Sequence, residues 1–273
     1  MGPMTQAGLS AVDVRCHRAG TGPALVLLHC LGVDHGIWDA SVAALADVCC
    51  TLRYDFPGHG ESAPPAAPYT IGELSAQLRD VLDAEGILRA SVAGISLGGL
   101  VAQHFGAVYP ERVERLVLVD TTPCYSDALR SMWAERAATA RRKGVGALAG
   151  ALLDVWFTPA FVAADAGAVR YVRACFERTS REGYALACEA LARADLRLLA
   201  RAIAVPTLVV CGTDDIPEFV EAARWLVEAI PDARLEWLQN ARHASILEQP
   251  EAFHALLREF LGAVPARRLK APG

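Results

Sequence analysis

The chain has 273 residues, of which 53% are hydrophobic and 21% charged, with a formal net charge of −5. That balance describes a globular protein large enough for one sizeable core, and it offers no basic field for nucleic acid or an anionic membrane surface. No apolar run reaches the roughly 18 residues of a membrane helix, and residues 1–10 lack the basic-then-apolar pattern of a secretion signal, so a cytoplasmic location is expected.

The first elements read as a strand over residues 9–17, a glycine-rich turn over 19–23, and a continuous apolar run over 24–30. The last is the pattern of a central strand buried on both faces. A loop at 31–35, a helix around 38–46 and a strand over 49–55 follow. The prolines at 64, 65 and 68 exclude helix and central strand, leaving a surface loop. Thr70 and Glu73 have capping-box spacing, which opens a helix running to Glu85. The strand over 90–95 leads into a helix over 97–109, and 113–120 is a further buried strand.

Residues 123–204 change character. They are rich in Ala, Arg and Leu at helical spacing, with no strand-like run. Three or four helices are predicted there, about 125–143, 146–156, 159–179 and 182–194. Alternation then resumes with strands over 207–213 and 234–239 and helices over 217–230 and 250–261; the basic, proline-bearing tail at 265–273 reads as frayed. The expected organisation is an α/β core, residues 1–122 and 205–273, built on a mostly parallel sheet flanked by helices. Residues 123–204 form an inserted helical cap. The eight cysteines are scattered, several (Cys30, Cys49, Cys50, Cys211) in predicted strands. With no CxxC pair and no HExxH helix, they read as reduced core residues, and no metal site is expected.

Gly94-x-Ser96-x-Gly98 sits between a strand and a helix, the setting of a nucleophile elbow, in which a serine at a strained turn projects its hydroxyl outward. A serine nucleophile needs a base, an acid to orient the base, and two donors for the oxyanion. His243 lies just after the last predicted strand and is the base candidate. His29, His35, His59, His104 and His254 are worse placed. For the acid, Gly212-Thr213-Asp214-Asp215 ends the penultimate strand; the spacing favours Asp215, with Asp214 as its neighbour and Asp120, one strand earlier, as a separate candidate. The oxyanion donors are expected to be the backbone amides of Leu97, at a helix N-terminus, and Leu31, in the loop after the first buried strand.

The triad order, His29-Cys30-Leu31-Gly32 and Gly58-His59-Gly60-x-Ser62 resemble the α/β-hydrolase superfamily. The glycine-rich HGGG form used by some lipases is missing. Within the superfamily, Ser-Leu-Gly-Gly at 96–99, Trp133-x-x-Arg136, Ala140-Arg141-x-x-Gly144, Trp156-Phe157-Thr158, Glu182-Gly183-Tyr184, Cys188-Glu189-Ala190 and Ala194-Asp195-Leu196-Arg197 resemble 3-oxoadipate enol-lactonases. That resemblance spans nearly the whole chain. It implies an α/β-hydrolase fold and cofactor-free serine chemistry opening a small, carboxylate-bearing enol-lactone in the aromatic catabolism of bacteria. Pro57 and Ile216-Pro217 depart from the family pattern near the site mouth, which admits a relative of that lactone.

Trp133 and Arg136, three apart on a predicted helix, share a face, and arginine suits a substrate carboxylate. Other activities of the same fold are a carboxylesterase, a perhydrolase or a hydrolase of C–C bonds; a ligand-binding protein on the same scaffold would not need all three catalytic groups. An aspartate-nucleophile dehalogenase is disfavoured by Ser96. Small-molecule substrates are the only partners implied.

Overall fold

The computed structural model describes residue 9, residues 14–164 and residues 166–262. In chain order the strands are β1 (His17–Ala19), β2 (Ala24–Leu28), β3 (Cys50–Arg53), β4 (Ala90–Ile95), β5 (Val113–Val119), β6 (Thr207–Gly212) and β7 (Ala233–Leu238). They form one sheet in the order β1-β3-β2-β4-β5-β6-β7. Only β1 runs antiparallel to its neighbour, β3; all other pairs are parallel. Leu25 to Leu28 on β2 and all of β4 are buried, as strands covered by helices on both faces must be.

The core helices are α1 (Asp39–Leu45), α2 (Ile71–Ala84) and α3 (Leu97–Val108) before β5. Thr70 caps α2: its hydroxyl accepts from the Glu73 amide, and the Glu73 carboxylate accepts from the Thr70 amide, which satisfies two otherwise orphaned donors. Between β5 and β6 lie α4 (Asp127–Lys143), α5 (Ala149–Trp156), α6 (Pro159–Ala163), α7 (Gly167–Arg178), α8 (Arg181–Arg193) and α9 (Arg197–Ala200). The chain ends in α10 (Pro217–Ala229) before β7, then α11 (Ser245–Glu248) and α12 (Pro250–Gly262). Among the described residues no helix is long and apolar enough to cross a membrane.

Several elements differ from the sequence reading. The first strand begins at His17, because β3 offers only four residues to pair with, and residues 10–13 of the predicted strand lie outside the described residues, as does the tail. The predicted helix over 159–179 is two helices with a break between Ala163 and Gly167, and the segment at 146–156 opens with a 3-10 turn over Val145–Leu148. The one-turn helices α9 and α11 carry too few residues for a readable period.

The helical block sits firmly on the sheet's carboxyl edge. Its two ends meet where Cys124 and Asp195 form an isolated bridge and the Leu196 amide donates to the Pro123 carbonyl at 2.7 Å. Gly183 of α8 touches the 55–62 loop so closely that a Cβ on Gly58 would stand 2.4 Å from the Gly183 Cα. Gly58 also has a φ of +77°, which favours glycine on its own account. Arg178 and Tyr171 of α7 reach Asp34, and Thr158 bonds Glu248 at 2.6 Å.

Candidate active site

The sheet order places a topological switch point between β2 and β4: after β2 the chain goes to one side, after β4 to the other. Loops diverge there, leaving a crevice at the strands' carboxyl ends. Ser96 sits at that crevice, between β4 and α3, with φ 53° and ψ −111°, a conformation L-residues rarely adopt. The flanking glycines are required by contact. A Cβ on Gly94 would meet the Gly98 carbonyl oxygen at 2.1 Å, and one on Gly98 would meet the Leu28 carbonyl oxygen at 2.3 Å. The turn is locked by Ser96 N–H donating to Val119 O at 2.9 Å and by the Thr121 hydroxyl donating to Ser96 O at 2.8 Å.

The structure brings Ser96, His243 and Asp215 into one hydrogen-bonded line. Ser96 Oγ lies 3.0 Å from His243 Nε2, and His243 Nδ1 lies 2.8 Å from Asp215 Oδ2. Asp215 Oδ1 accepts from the Ile216 amide at 2.7 Å, so both carboxylate oxygens are held. Phe219 packs edge-on against the imidazole with ring centroids 4.4 Å apart. Burial pushes the His243 imidazole down. The charge and hydrogen bond of Asp215, with Asp120 adding and Arg136 opposing, outweigh that and hold its pKa above the usual histidine value.

The alternative acids are placed elsewhere. Asp214 is exposed and accepts from the Thr213 hydroxyl. Asp120 is fully buried at the end of β5, but its oxygens accept from Gly212 and Ser245 and not from His243.

Leu97 opens α3, where backbone N–H groups have no partner within the helix. Leu31 lines the same cavity as Ser96 and His243. His29 holds its loop: the Phe56 amide donates to His29 Nε2 at 2.8 Å, so the proton is on Nδ1, which donates to Cys30 O at 2.8 Å. In a trans peptide the carbonyl and the next N–H point opposite ways, so fixing Cys30 O also fixes the direction of the Leu31 N–H. Burial keeps His29 below the usual histidine pKa and hence neutral at neutral pH.

The cavity holds about 210 Å³. Trp133 and Arg136 of α4 line it, together with Leu129, Met132, Leu152, Val155, Trp156 and Phe219. The Arg136 guanidinium lies 4.9 Å from the Trp133 ring centroid, and among the described residues no carboxylate pairs with it. Arg141, by contrast, is spent on Glu182 and Glu189 of α8. The Trp133 indole N–H is buried without a partner among the described residues. Phe219 and Met132 escape sequence reasoning, because single apolar residues on amphipathic helices look alike whether they face a core or a cavity; Trp156 is visible there only as part of a motif, not as a cavity wall.

Residues 25–256 match the alpha/beta hydrolase family. Among curated proteins the chain is similar to 3-oxoadipate enol-lactonase 2 of Acinetobacter baylyi, 35% identical over 90% of this chain and 92% of that one. It is 34% identical to the pimeloyl-[acyl-carrier protein] methyl ester esterase of Chromobacterium violaceum, over 89% of this chain and 95% of that one. Among solved structures, the enol-lactonase from Burkholderia xenovorans LB400 superposes with a TM-score of 0.88 at 37% identity, covering 92% of this chain and 96% of that one.

Proposed function

The chain belongs to the alpha/beta hydrolase family, and on that premise we propose that it is a serine hydrolase opening a small enol-lactone that carries a free carboxylate, 3-oxoadipate enol-lactone or a relative. The observation that carries this reading is the Ser96–His243–Asp215 line ending in a mostly apolar cavity whose one guanidinium, Arg136, pairs with no carboxylate among the described residues. Lactonase and ester-hydrolase relatives support the class of bond.

In the proposed reaction Ser96 Oγ attacks the lactone carbonyl carbon while its proton passes to His243 Nε2. Asp215 keeps the imidazole in the tautomer that can accept that proton and stabilises the imidazolium. The carbonyl oxygen becomes an oxyanion held by the Leu97 and Leu31 amides. Collapse breaks the ring C–O bond, and His243 returns the proton to the departing enolate. An enolate leaves more readily than an alkoxide, so little acid assistance is needed. Water, deprotonated by His243, then attacks the acyl carbon, and the imidazolium returns that proton to Ser96 Oγ as the ester bond breaks, freeing the acid product and Ser96.

Arg136 selects the substrate in this reading, and Trp133, with its unpartnered N–H, walls the pocket beside it. A charge-assisted hydrogen bond is worth about 1.5–3 kcal/mol, on the order of ten- to a hundredfold. Arg136→Ala should therefore lower kcat/KM by about that factor for a carboxylate-bearing lactone, and leave a neutral ester of similar size nearly unchanged. Equal losses on both substrates would assign Arg136 to packing and remove the support for an acidic substrate. The apolar remainder of the lining favours a second reading, a carboxylesterase for short apolar acyl groups. A panel of acidic lactones against neutral p-nitrophenyl esters separates the two by which class has the higher kcat/KM.

A further inference from the structure

Asp120 is a buried carboxylate with no part in the reaction as written. It ends β5 in an unusual conformation, φ 42°, and is 0% exposed. The residues beside it hold the elbow: Val119 O accepts from Ser96 N–H, and the Thr121 hydroxyl donates to Ser96 O. The Asp120 amide donates to Val210 O on β6 at 2.9 Å. Its side chain reaches the other two loops of the site. Oδ1 accepts from the Gly212 amide at 3.0 Å, three residues before Asp215, and Oδ2 accepts from the Ser245 amide at 3.2 Å and hydroxyl at 2.6 Å, two residues after His243.

We propose that Asp120 is a positioning residue for the Asp215–His243 pair: its carboxylate clamps the acid-bearing loop to the base-bearing loop and places a second negative charge behind the imidazolium formed during reaction. The inference rests on the serine-hydrolase reading above. Its chemistry is not that of the orienting acid, since His243 Nδ1 bonds Asp215 and not Asp120. The Asp120 and Asp215 oxygens and the Cys211 sulfur lie within 4.8 Å of one another. Burial and the neighbouring Asp215 charge raise the Asp120 pKa to about 7, while the His243 charge and the Ser245 and Gly212 bonds work against that rise. Formation of the imidazolium thus favours the ionised clamp when the charge is needed. The charged groups acting on the imidazole are Asp215, Asp120 and Arg136; those acting on the clamp are Asp215 and His243.

Asp120→Asn keeps the shape but removes the charge. One of its terminal atoms must then be an NH₂ facing a backbone N–H, of Gly212 or of Ser245, so one side of the clamp opens. For the folded variant on p-nitrophenyl acetate we expect kcat to fall about 10- to 100-fold with KM within about threefold. The acid limb of kcat/KM should move to lower pH, because His243 acts as base only when neutral and Asp120 raises its pKa. A merely structural role would lower activity without moving that limb. An unmoved limb, or kcat within about threefold of wild type, overturns the proposal. If the asparagine variant does not fold, Ser245→Ala, which retains the charge and removes one hydrogen bond, should lose about three- to tenfold in kcat; full activity there overturns the clamp. A fluorophosphonate probe run in parallel keeps the two readings apart. An unlabelled, inactive wild type defeats the serine mechanism itself, whereas a labelled, active wild type matched by Asp120→Asn defeats only the role of Asp120.

Discussion

Ser96→Ala is expected to fold like the wild type and to retain no more than about one part in a thousand of its turnover, on lactone and ester alike. The fold should survive because alanine has the same Cβ as serine. The cost of holding φ at 53° is set by the backbone, and the Val119 and Thr121 bonds that impose it do not involve the hydroxyl. Turnover should not survive, because the atom 3.0 Å from His243 Nε2 is gone and no other hydroxyl bonds that nitrogen among the described residues. The Leu31 and Leu97 amides and the cavity would still bind substrate, so KM should change little while kcat collapses. Fluorophosphonate labelling and a circular-dichroism melt on the same preparation check both halves. A melt like the wild type's with more than about a tenth of the activity would remove the acyl-enzyme from the mechanism.

The parts legible in the sequence are those where contact chemistry allows one residue type. Gly94 and Gly98 could be read because strand and helix backbones pass within van der Waals distance there, and β2 because burial on both faces excludes polar residues. Gly58-His59-Gly60 and Glu182-Gly183-Tyr184 stand out as separate motifs, yet they are two sides of one contact, Gly58 against Gly183, which only the fold reveals. The break between α6 and α7 was illegible because alanine-rich sequence on both sides carries a continuous helical signal. His29 reads as a poor base. Its loop-holding role depends on Phe56, 27 residues away, which comes near only when β2 and β3 pair. Asp120, Asp214 and Asp215 differ in side-chain direction at their strand ends, which spacing does not encode.

Asp215→Asn is the second large effect, and the local bonding says which way it fails. The Ile216 amide donates to Oδ1 at 2.7 Å and can donate only to an oxygen. In the asparagine variant that amide claims the side-chain carbonyl, which turns the NH₂ toward His243 Nδ1, where Oδ2 now lies at 2.8 Å. Nδ1 must then accept, the ring proton moves to Nε2, and the imidazole faces Ser96 as a donor that cannot take the serine proton. The lost charge adds to this: Asp215 is the largest influence holding the His243 pKa above its usual value against burial, so the imidazolium loses its main support. Loss of tautomer and charge together should cost about 10³- to 10⁴-fold in kcat, or about 4–5.5 kcal/mol of barrier, with little change in KM. Asp214→Asn provides the control. Its carboxylate is exposed and, among the described residues, engaged only with its neighbour Thr213, so activity should stay within about twofold of wild type. Asp120→Asn should fall between them, since it opens the clamp but leaves the tautomer alone. Measuring kcat for the three folded variants on one substrate orders them, and a larger loss at Asp120 than at Asp215 would transfer the orienting role to the end of β5.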